Sequence, residues 1–283
     1  MTGGGADATR AADLVRGQER IANASESRQG GAAGALSVRL LCEQDVPAAA
    51  AVLARAFADE PAKRALFGNE QDSRPPFADA STRTRFAEAA ARGRLRAALP
   101  YAAVHVAELD GTIAGVAMWY QPGVKPAALP ITAVVPALLT SGTRVLSLIA
   151  HLAGSLWRDR SALRRVLVAR TEAAKAAARG PSWCLAVLGT DPDYRGRGVA
   201  RRLLERTLER CDVEGLPAWL ETTEGTTAAM YERFGFETVA AMAGGVLLPG
   251  LWVMRREAPE RSHQADRSGA LVISDQEEAR RAR

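Results

Sequence analysis

The stretch "GTDPDYRGRGVARRLLERTLER", Gly189 to Arg210, decides how this chain is read. It sets two glycines, Gly196 and Gly198, among arginines immediately before a long run of helical periodicity. Val199, Ala200, Leu203, Leu204, Leu208 and Cys211 recur on one face of that run, while Arg201, Arg202, Glu205, Arg206 and Glu209 fall elsewhere. Glycine is a poor residue beside a helix unless the backbone itself has a task there. A helix N-terminus presents unpaired N–H groups and a partial positive charge. Where glycines let the chain curl tightly, several N–H groups converge on phosphate oxygens. Arg195, Arg197 and Arg201 add attraction for the same anion. The stretch therefore reads as a loop for a diphosphate. It has neither the Gly-Lys-Ser/Thr of nucleoside-triphosphate loops nor the G-x-G-x-x-G of dinucleotide loops, which sets both aside.

Outward from the loop, the pattern alternates strands and helices. Upstream, "SWCLAVLGT" is a nearly continuous apolar run, as a central buried strand requires. Downstream, Gly215-Leu216-Pro217 stops the helix and "AWLET" supplies the next strand, so the centre of the chain reads as one βαβ crossover. "TTAAMYERF" is a short helix closed by Gly235, with Thr226 as its expected N-cap. "FETVAAM" and "LPGLWVMRR" are the last strands. Nearer the start, "LSVRLL" reads as a strand, and Asp45 is expected to cap a helix through Phe57 carrying Val46, Ala50, Leu53 and Phe57 on one side. A helix from about Thr82 to Ala98 follows. Two apolar runs joined by Asp110-Gly111 then form a hairpin. A helical insertion is expected over about 129–178. Residues 1–35 and 258–283 lack sustained periodicity and are expected to be unstructured, which leaves one domain over 36–257.

Bulk properties narrow the function classes. The 283 residues are 47% hydrophobic and carry a net charge of +5, with arginines mostly interleaved with Glu and Asp. That distribution suits attraction of a small anion better than a nucleic-acid face. Cys42, Cys184 and Cys211 have no metal-like spacing, and an odd number argues against a disulfide framework. No metal site is expected. No apolar run reaches membrane-spanning length, and the first twenty residues lack the apolar core of a signal peptide. The expectation is a cytoplasmic protein with neither membrane nor nucleic-acid partner.

The loop Arg195-Gly196-Arg197-Gly198-Val199-Ala200 resembles motif A of the GNAT acyl-CoA N-acyltransferases, Gln/Arg-x-x-Gly-x-Gly/Ala, here in the matching context of strand, loop, helix, strand and "MYERFGF". Within that superfamily the chain looks most like actinobacterial puromycin-type acetyltransferases in "RAFADEP", "WCLAVLGTDPDYRGRGVARRLLE" and "GLPAWLETTEGTTAAMYERFGFE". The resemblance implies an α/β (α+β) fold. Its central sheet would be mixed, mostly antiparallel and of about six to seven strands, with a central βαβ acyl-CoA-binding unit and helices on both faces. It implies acetyl-CoA as co-substrate, with the pyrophosphate on the amides of Gly196, Arg197, Gly198, Val199, Ala200 and Arg201 beside Arg195. Pantetheine would pair with the strand edge at Leu188, Gly189 and Thr190. The second substrate would be the primary amine of a small molecule, with antibiotic modification as the implied role.

Acyl transfer from a thioester needs a neutral amine, a polarised carbonyl and a proton donor for the departing thiolate. Tyr231 stands where the family usually places that general acid, and a phenol of pKa near ~10 keeps its proton until a thiol of pKa near ~8.5 needs it. Glu221, at the end of its strand, is the leading base. His105 and His151 are further candidates, and a partly neutral amine needs none. The sequence departs from the family at Glu224, seven residues before the tyrosine, where Asn is usual. A carboxylate cannot donate the hydrogen bond an amide can, so the expected pantetheine contact at Glu224 changes character. An acyl-cysteine route finds no activating context around any of the three thiols. Two other readings stand beside this one: acetylation of a protein N-terminus or lysine, and a non-catalytic acyl-CoA-binding module.

Overall fold

The computed structural model describes residues 35–58, 80–124, 168, 171–244 and 250–259. The expectations for the two tails, most of the insertion and His151 lie outside the described residues. The elements are β1 (Ser37–Leu40), α1 (Val46–Ala56), α2 (Ala80–Ala98), β2 (Ala102–Leu109), β3 (Thr112–Tyr120), β4 (Trp183–Thr190), α3 (Val199–Glu214), β5 (Ala218–Thr222), α4 (Gly225–Glu232), β6 (Glu237–Met242) and β7 (Leu251–Arg256). Residues 171–177 are also helical.

The strands form one seven-stranded sheet in the order β1-β2-β3-β4-β5-β7-β6. Every neighbouring pair is antiparallel except β4 and β5, which the crossover through α3 makes parallel. The β2–β3 turn takes Asp110 and Gly111 at φ 54° and 74°, the paired left-handed residues a tight two-residue hairpin demands. The last strand does not add to the edge: β7 enters between β5 and β6, a swap that alternation along a single strand cannot announce.

Each face of the sheet carries its own core. On one, α1, α2 and the helical residues 171–177 cover Val104, Val106, Val116, Met118, Val187 and Val253. On the other, α3 and α4 pack against Ala107, Ala117, Trp119, Trp183, Leu220 and Met254. The buried residues Val199, Leu203, Leu204, Leu208 and Cys211 are the stripe read from the sequence. Fully burying side chains such as Leu203 and Leu204 contributes about 2 kcal/mol each. Two contacts fix the C-terminal end of α3 on the sheet. Glu214 accepts the indole N–H of Trp183 at 2.9 Å, and Asp212 pairs with Arg256 through both oxygens at 2.6 and 2.9 Å.

Of the two capping expectations, Asp45 does stand at the N-cap of α1, without a side-chain bond to the helix, and the other is corrected. Asp45 makes no side-chain bond to the first turn of α1. Its carboxylate instead accepts the N–H of Cys42 at 2.9 Å and pairs with Arg39 at 2.6 Å, which holds it below the usual carboxylate range. The turn Glu43–Asp45 ahead of α1 is a short 3-10 helix, and Asp45 serves that turn. The N-cap of α4 is Glu224, not Thr226, because the helix begins at Gly225. Neither cap uses a side-chain bond to the helix backbone.

Candidate functional site

The loop between β4 and α3 starts with Asp191, whose carboxylate is fully buried. It accepts the N–H of Asp193 at 3.2 Å and pairs with Arg55 of α1. Gly196 and Gly198 follow at φ 77° and 80°. An L-residue adopts this left-handed backbone only at a cost of roughly 1–2 kcal/mol, so both positions favour glycine on backbone grounds alone. A Cβ built on either meets no atom within 4 Å. The glycines are therefore not filling a crowded corner. They turn the chain so that its main chain lies bare at the N-terminus of α3, whose N-cap is Gly198 itself.

Beside the loop the sheet opens. β4 pairs with β5 only through Trp183, Cys184 and Leu185. From Ala186 to Thr190 the β5-side edge of β4 has no strand partner, while its other edge stays paired with β3 as far as Thr190. The resulting cleft encloses about 920 Å³ and runs from the glycine loop along that edge to α4. The hydroxyl of Thr190 is buried there without a hydrogen-bond partner among the described residues. A bare backbone at a helix N-terminus, an unpaired strand edge and an orphaned hydroxyl in one groove suit a long, polar, diphosphate-bearing ligand. An acyl-coenzyme A has that shape and chemistry.

Of the residues singled out in the sequence, Leu188, Gly189, Thr190, Arg195, Gly196, Gly198, Val199, Ala200, Arg201, Glu221, Glu224 and Tyr231 all border this cleft. Arg197 does not; its guanidinium lies 5.4 Å from the centroid of the Tyr194 ring. The remaining arginines are engaged as well. Arg195 donates to the carbonyl of Ala56 at the end of α1 at 3.1 Å, and Arg201 stands 3.4 Å from Glu205. Of these, Arg195 is tied to a neighbouring element, while Arg197 and Arg201 meet partners in their own loop and helix.

Tyr231 projects from α4 into the inner end of the cleft. It is 6% exposed, and its ring meets Phe236 edge-on at 5.8 Å. Burial raises its phenol well above the ordinary value, so it holds its proton across the alkaline range. Glu221 reaches the cleft from the end of β5, and Glu224 accepts the Thr227 hydroxyl at 3.2 Å. His105 belongs elsewhere. It lies on β2, 4% exposed, with Arg206 and Arg210 of α3 acting on it, and it is not part of the cleft wall. Cys184 forms part of the floor, where burial pushes its thiol far up and leaves it a poor nucleophile. Among the described residues no group of three or more His, Cys, Asp or Glu could hold a metal ion, and no helix is long and apolar enough to cross a membrane.

Sequence reasoning missed the far wall. Phe57 just after α1, Phe86 and Arg94 of α2, Trp219 of β5 and Leu251 of β7 all line the cleft. Periodicity in a helix or strand reports burial, not which buried face is interrupted by a groove, so nothing in the sequence singled them out for the cleft.

The family comparison falls on this same region. Residues 162–238, which include β4, the loop, α3, β5 and α4, match the family model described as the acetyltransferase (GNAT) domain. An uncharacterized N-acetyltransferase of Schizosaccharomyces pombe is 34% identical over 90 residues, 31% of this chain and 36% of that protein. The mycothiol acetyltransferase of Propionibacterium freudenreichii is 38% identical over 61 residues, 20% of either chain. The matched stretch thus spans about a third or less of these relatives. A Corynebacterium glutamicum structure described as histone acetyltransferase HPA2 and related acetyltransferase aligns with 80% of this chain and 99% of its own, at 19% identity and a TM-score of 0.49.

Proposed function

We propose that the chain is an N-acetyltransferase that moves an acetyl group from acetyl-CoA to the primary amine of a small molecule within a ternary complex. The observation that carries the reading is the continuity of one groove. It begins at the left-handed Gly196 and Gly198, follows the unpaired edge of β4, and ends at the buried phenol of Tyr231. The family match over residues 162–238 supports it independently.

When bound, acetyl-CoA supplies an acetyl thioester. The amides at the start of α3 would hold its diphosphate, and the edge from Leu188 to Thr190 would take the amides of its pantetheine arm, with the Thr190 hydroxyl as a further partner. Tyr231 would give its proton to the sulfur as the C–S bond breaks and the new C–N bond forms, and the surplus proton of the acylated nitrogen would return the phenolate to phenol. A phenol raised by burial is a weaker acid in the resting site, yet it stays protonated and delivers once thiolate charge develops beside it. Glu221 receives the proton that the ammonium must shed before attack. Its place at the end of β5 sets it beside the split rather than at the loop.

Incubating the purified chain with acetyl-CoA and a panel of amines, while following free thiol and acetylated product, tests the reading. The panel includes an aminoacyl-nucleoside antibiotic, the acceptor that the likeness to puromycin-type enzymes suggests. Stoichiometric thiol and N-acetyl product are expected. Tight binding of acetyl-CoA with no amine acetylated would turn the reading toward a binding module. Acetylation of peptides alone would turn it toward a protein-modifying enzyme.

A further inference from the structure

The last two residues of α1 are tied to the two ends of one turn. Arg55 pairs with the buried carboxylate of Asp191 and stands 3.6 Å from Asp193. The carbonyl of Ala56 accepts Nη2 of Arg195 at 3.1 Å. Between Asp191 and Arg195 lies the short 3-10 helix Pro192–Tyr194, closed by the N–H of Tyr194 on the Asp191 carbonyl at 2.9 Å. The N–H of Asp191 in turn donates to the carbonyl of Ala114 in β3 at 2.9 Å. One guanidinium therefore crosses from helix to loop, and the other crosses back from loop to helix.

The return crossing answers a need of α1. The last carbonyls of a helix have no partner within it and carry its partial negative charge. A glycine in left-handed conformation commonly closes such an end. Here the closing residue is Phe57, at φ −103° and ψ 14°, and the sequence continues Ala58-Asp59-Glu60-Pro61 without a glycine. Phe57 and Ala58 donate to the carbonyls of Leu53 and Arg55 at 3.1 and 3.2 Å. The carbonyl of Ala56 takes its donor from Arg195.

That bond holds one wall of the cleft in place. Leu53, Ala54, Ala56 and Phe57 all line it. They pack directly on β4: a Cβ added at Gly189 would stand 2.8 Å from Cδ2 of Leu53, 3.2 Å from Cβ of Ala56 and 3.3 Å from Cε2 of Phe57. The guanidinium of Arg195 serves α1 and not β4. The arginine that bonds to β4 in this stretch is Arg94 of α2, which donates to the carbonyl of Ala186, one residue past the last β4–β5 pair, at 3.0 Å.

We infer that Arg195 is a positioning residue: it caps α1, fixes the wall from Leu53 to Phe57 against Gly189, and leaves the diphosphate to the amides of the loop. The donor keeps its main-chain anchors when that wall loosens, whereas an amine held by side chains does not. For its effect on turnover the inference rests on the acyl-transfer reading; for its effect on α1 and on coenzyme A it does not.

Wild type, Arg195→Ala and Arg195→Lys are compared as full chains. Arg195 is exposed, so neither change touches the core. Amide hydrogen exchange is followed at Phe57 and Ala58, coenzyme A affinity by calorimetry at moderate salt, and acceptor KM with puromycin and phenethylamine. Arg195→Ala should speed exchange at both amides about tenfold. It should raise acceptor KM about threefold or more, while coenzyme A affinity falls by less than about fivefold. Lysine, a donor of similar reach, should restore both the slow exchange and the acceptor KM. Exchange unmoved by Arg195→Ala, an acceptor KM unmoved beside faster exchange, or a lysine that restores neither overturns the inference. So does a loss of coenzyme A affinity beyond that limit, which would make Arg195 a diphosphate ligand. If wild type acetylates neither amine while exchange and coenzyme A affinity behave as expected, the acyl-transfer reading fails and the capping of α1 stands.

Discussion

Gly115 of β3 and Val199, the first residue of α3, approach so closely that a Cβ added at Gly115 would stand 2.5 Å from Cγ1 of Val199. The same added carbon would lie 3.0 Å from Cδ1 of Leu203 and 3.2 Å from the carbonyl oxygen of Gly189. A glycine in a central strand thus sets how near the N-terminus of α3, and with it the glycine loop, sits to the sheet. Val199 is β-branched and has little rotamer freedom inside a helix, so it cannot swing aside. Gly115→Ala should destabilise the fold by about 1–3 kcal/mol in chemical denaturation and weaken acetyl-CoA binding together with it. Adding Val199→Ala should recover part of both losses. A double mutant that merely sums the two single effects would show that the contact does not couple strand to loop.

Gly198 offers a different test, because space is not what it needs. Nothing stands within 4 Å of a Cβ built there, yet its φ of 80° is one that Val strongly disfavours. Gly198→Val should lower acetyl-CoA affinity by tenfold or more, about 1.4 kcal/mol, through refolding of the loop. The rest of the protein should keep its far-ultraviolet circular dichroism and most of its stability. Unchanged affinity would remove the loop from the binding site.

Asp191 ties that loop to α1. Its carboxylate is wholly buried and takes both the N–H of Asp193 and the guanidinium of Arg55, which is itself half exposed. Because Arg55 can return to water, replacing Asp191 costs less than breaking a fully buried pair. Asp191→Ala should destabilise by about 1–3 kcal/mol, the expected effect of orphaning a buried donor. Arg55→Ala should cost less than Asp191→Ala. The reverse order would show that the guanidinium, not the turn, is the important partner.

Much of this was legible in the residues, and the reasons are physical. The stripe Val199, Leu203, Leu204, Leu208 and Cys211 declares α3 because a buried helix face must repeat every three to four residues. Asp110-Gly111 declares the hairpin because few other pairs accept left-handed backbone twice in succession. The glycine loop was readable because its chain turns through left-handed backbone, and that freedom is written as glycine. Asp45 stands at the N-cap as read but spends its carboxylate on other partners, and the cap of α4 was misplaced because Thr226 has the right side chain two positions beyond the true N-cap, Glu224. Arg39 and Cys42 took Asp45. Arg94 was not legible at all. Nothing in a helix sequence tells which of its arginines will meet a strand carbonyl left bare by a split between other strands.

Tyr231 separates binding from chemistry. Its ring is packed against Phe236, so Tyr231→Phe preserves the contact and removes only the hydroxyl. Turnover should fall by about a hundredfold, the usual scale of a lost general acid, with acetyl-CoA affinity nearly unchanged. Since burial raises the phenol above its ordinary value of 10.0, the wild-type rate should show no loss assignable to its ionisation up to that pH. Full activity in the phenylalanine variant would move the acid role to another group or to water.

His105 predicts how the fold responds to acid. Its imidazole lies between β2 and α3, buried, with Nδ1 lacking a partner among the described residues and with Arg206 and Arg210 nearby. Burial, then the two guanidinium charges, lower it from 6.5 to about 3. A base whose folded value is depressed takes up its proton more readily when unfolded. The unfolded chain therefore gains protons first as pH falls below about 6.5, and the folded state loses stability progressively toward pH 3. Above 6.5 both states are neutral at this site and the contribution is flat. Replacing His105 by Leu removes the titrating group from the same apolar layer. Denaturant midpoints measured between pH 7.5 and 4.5 should decline less steeply in His105→Leu than in wild type, whatever the offset at pH 7.5. Parallel declines would mean that other groups govern acid unfolding and that His105 is protonated, or exposed, in the native protein.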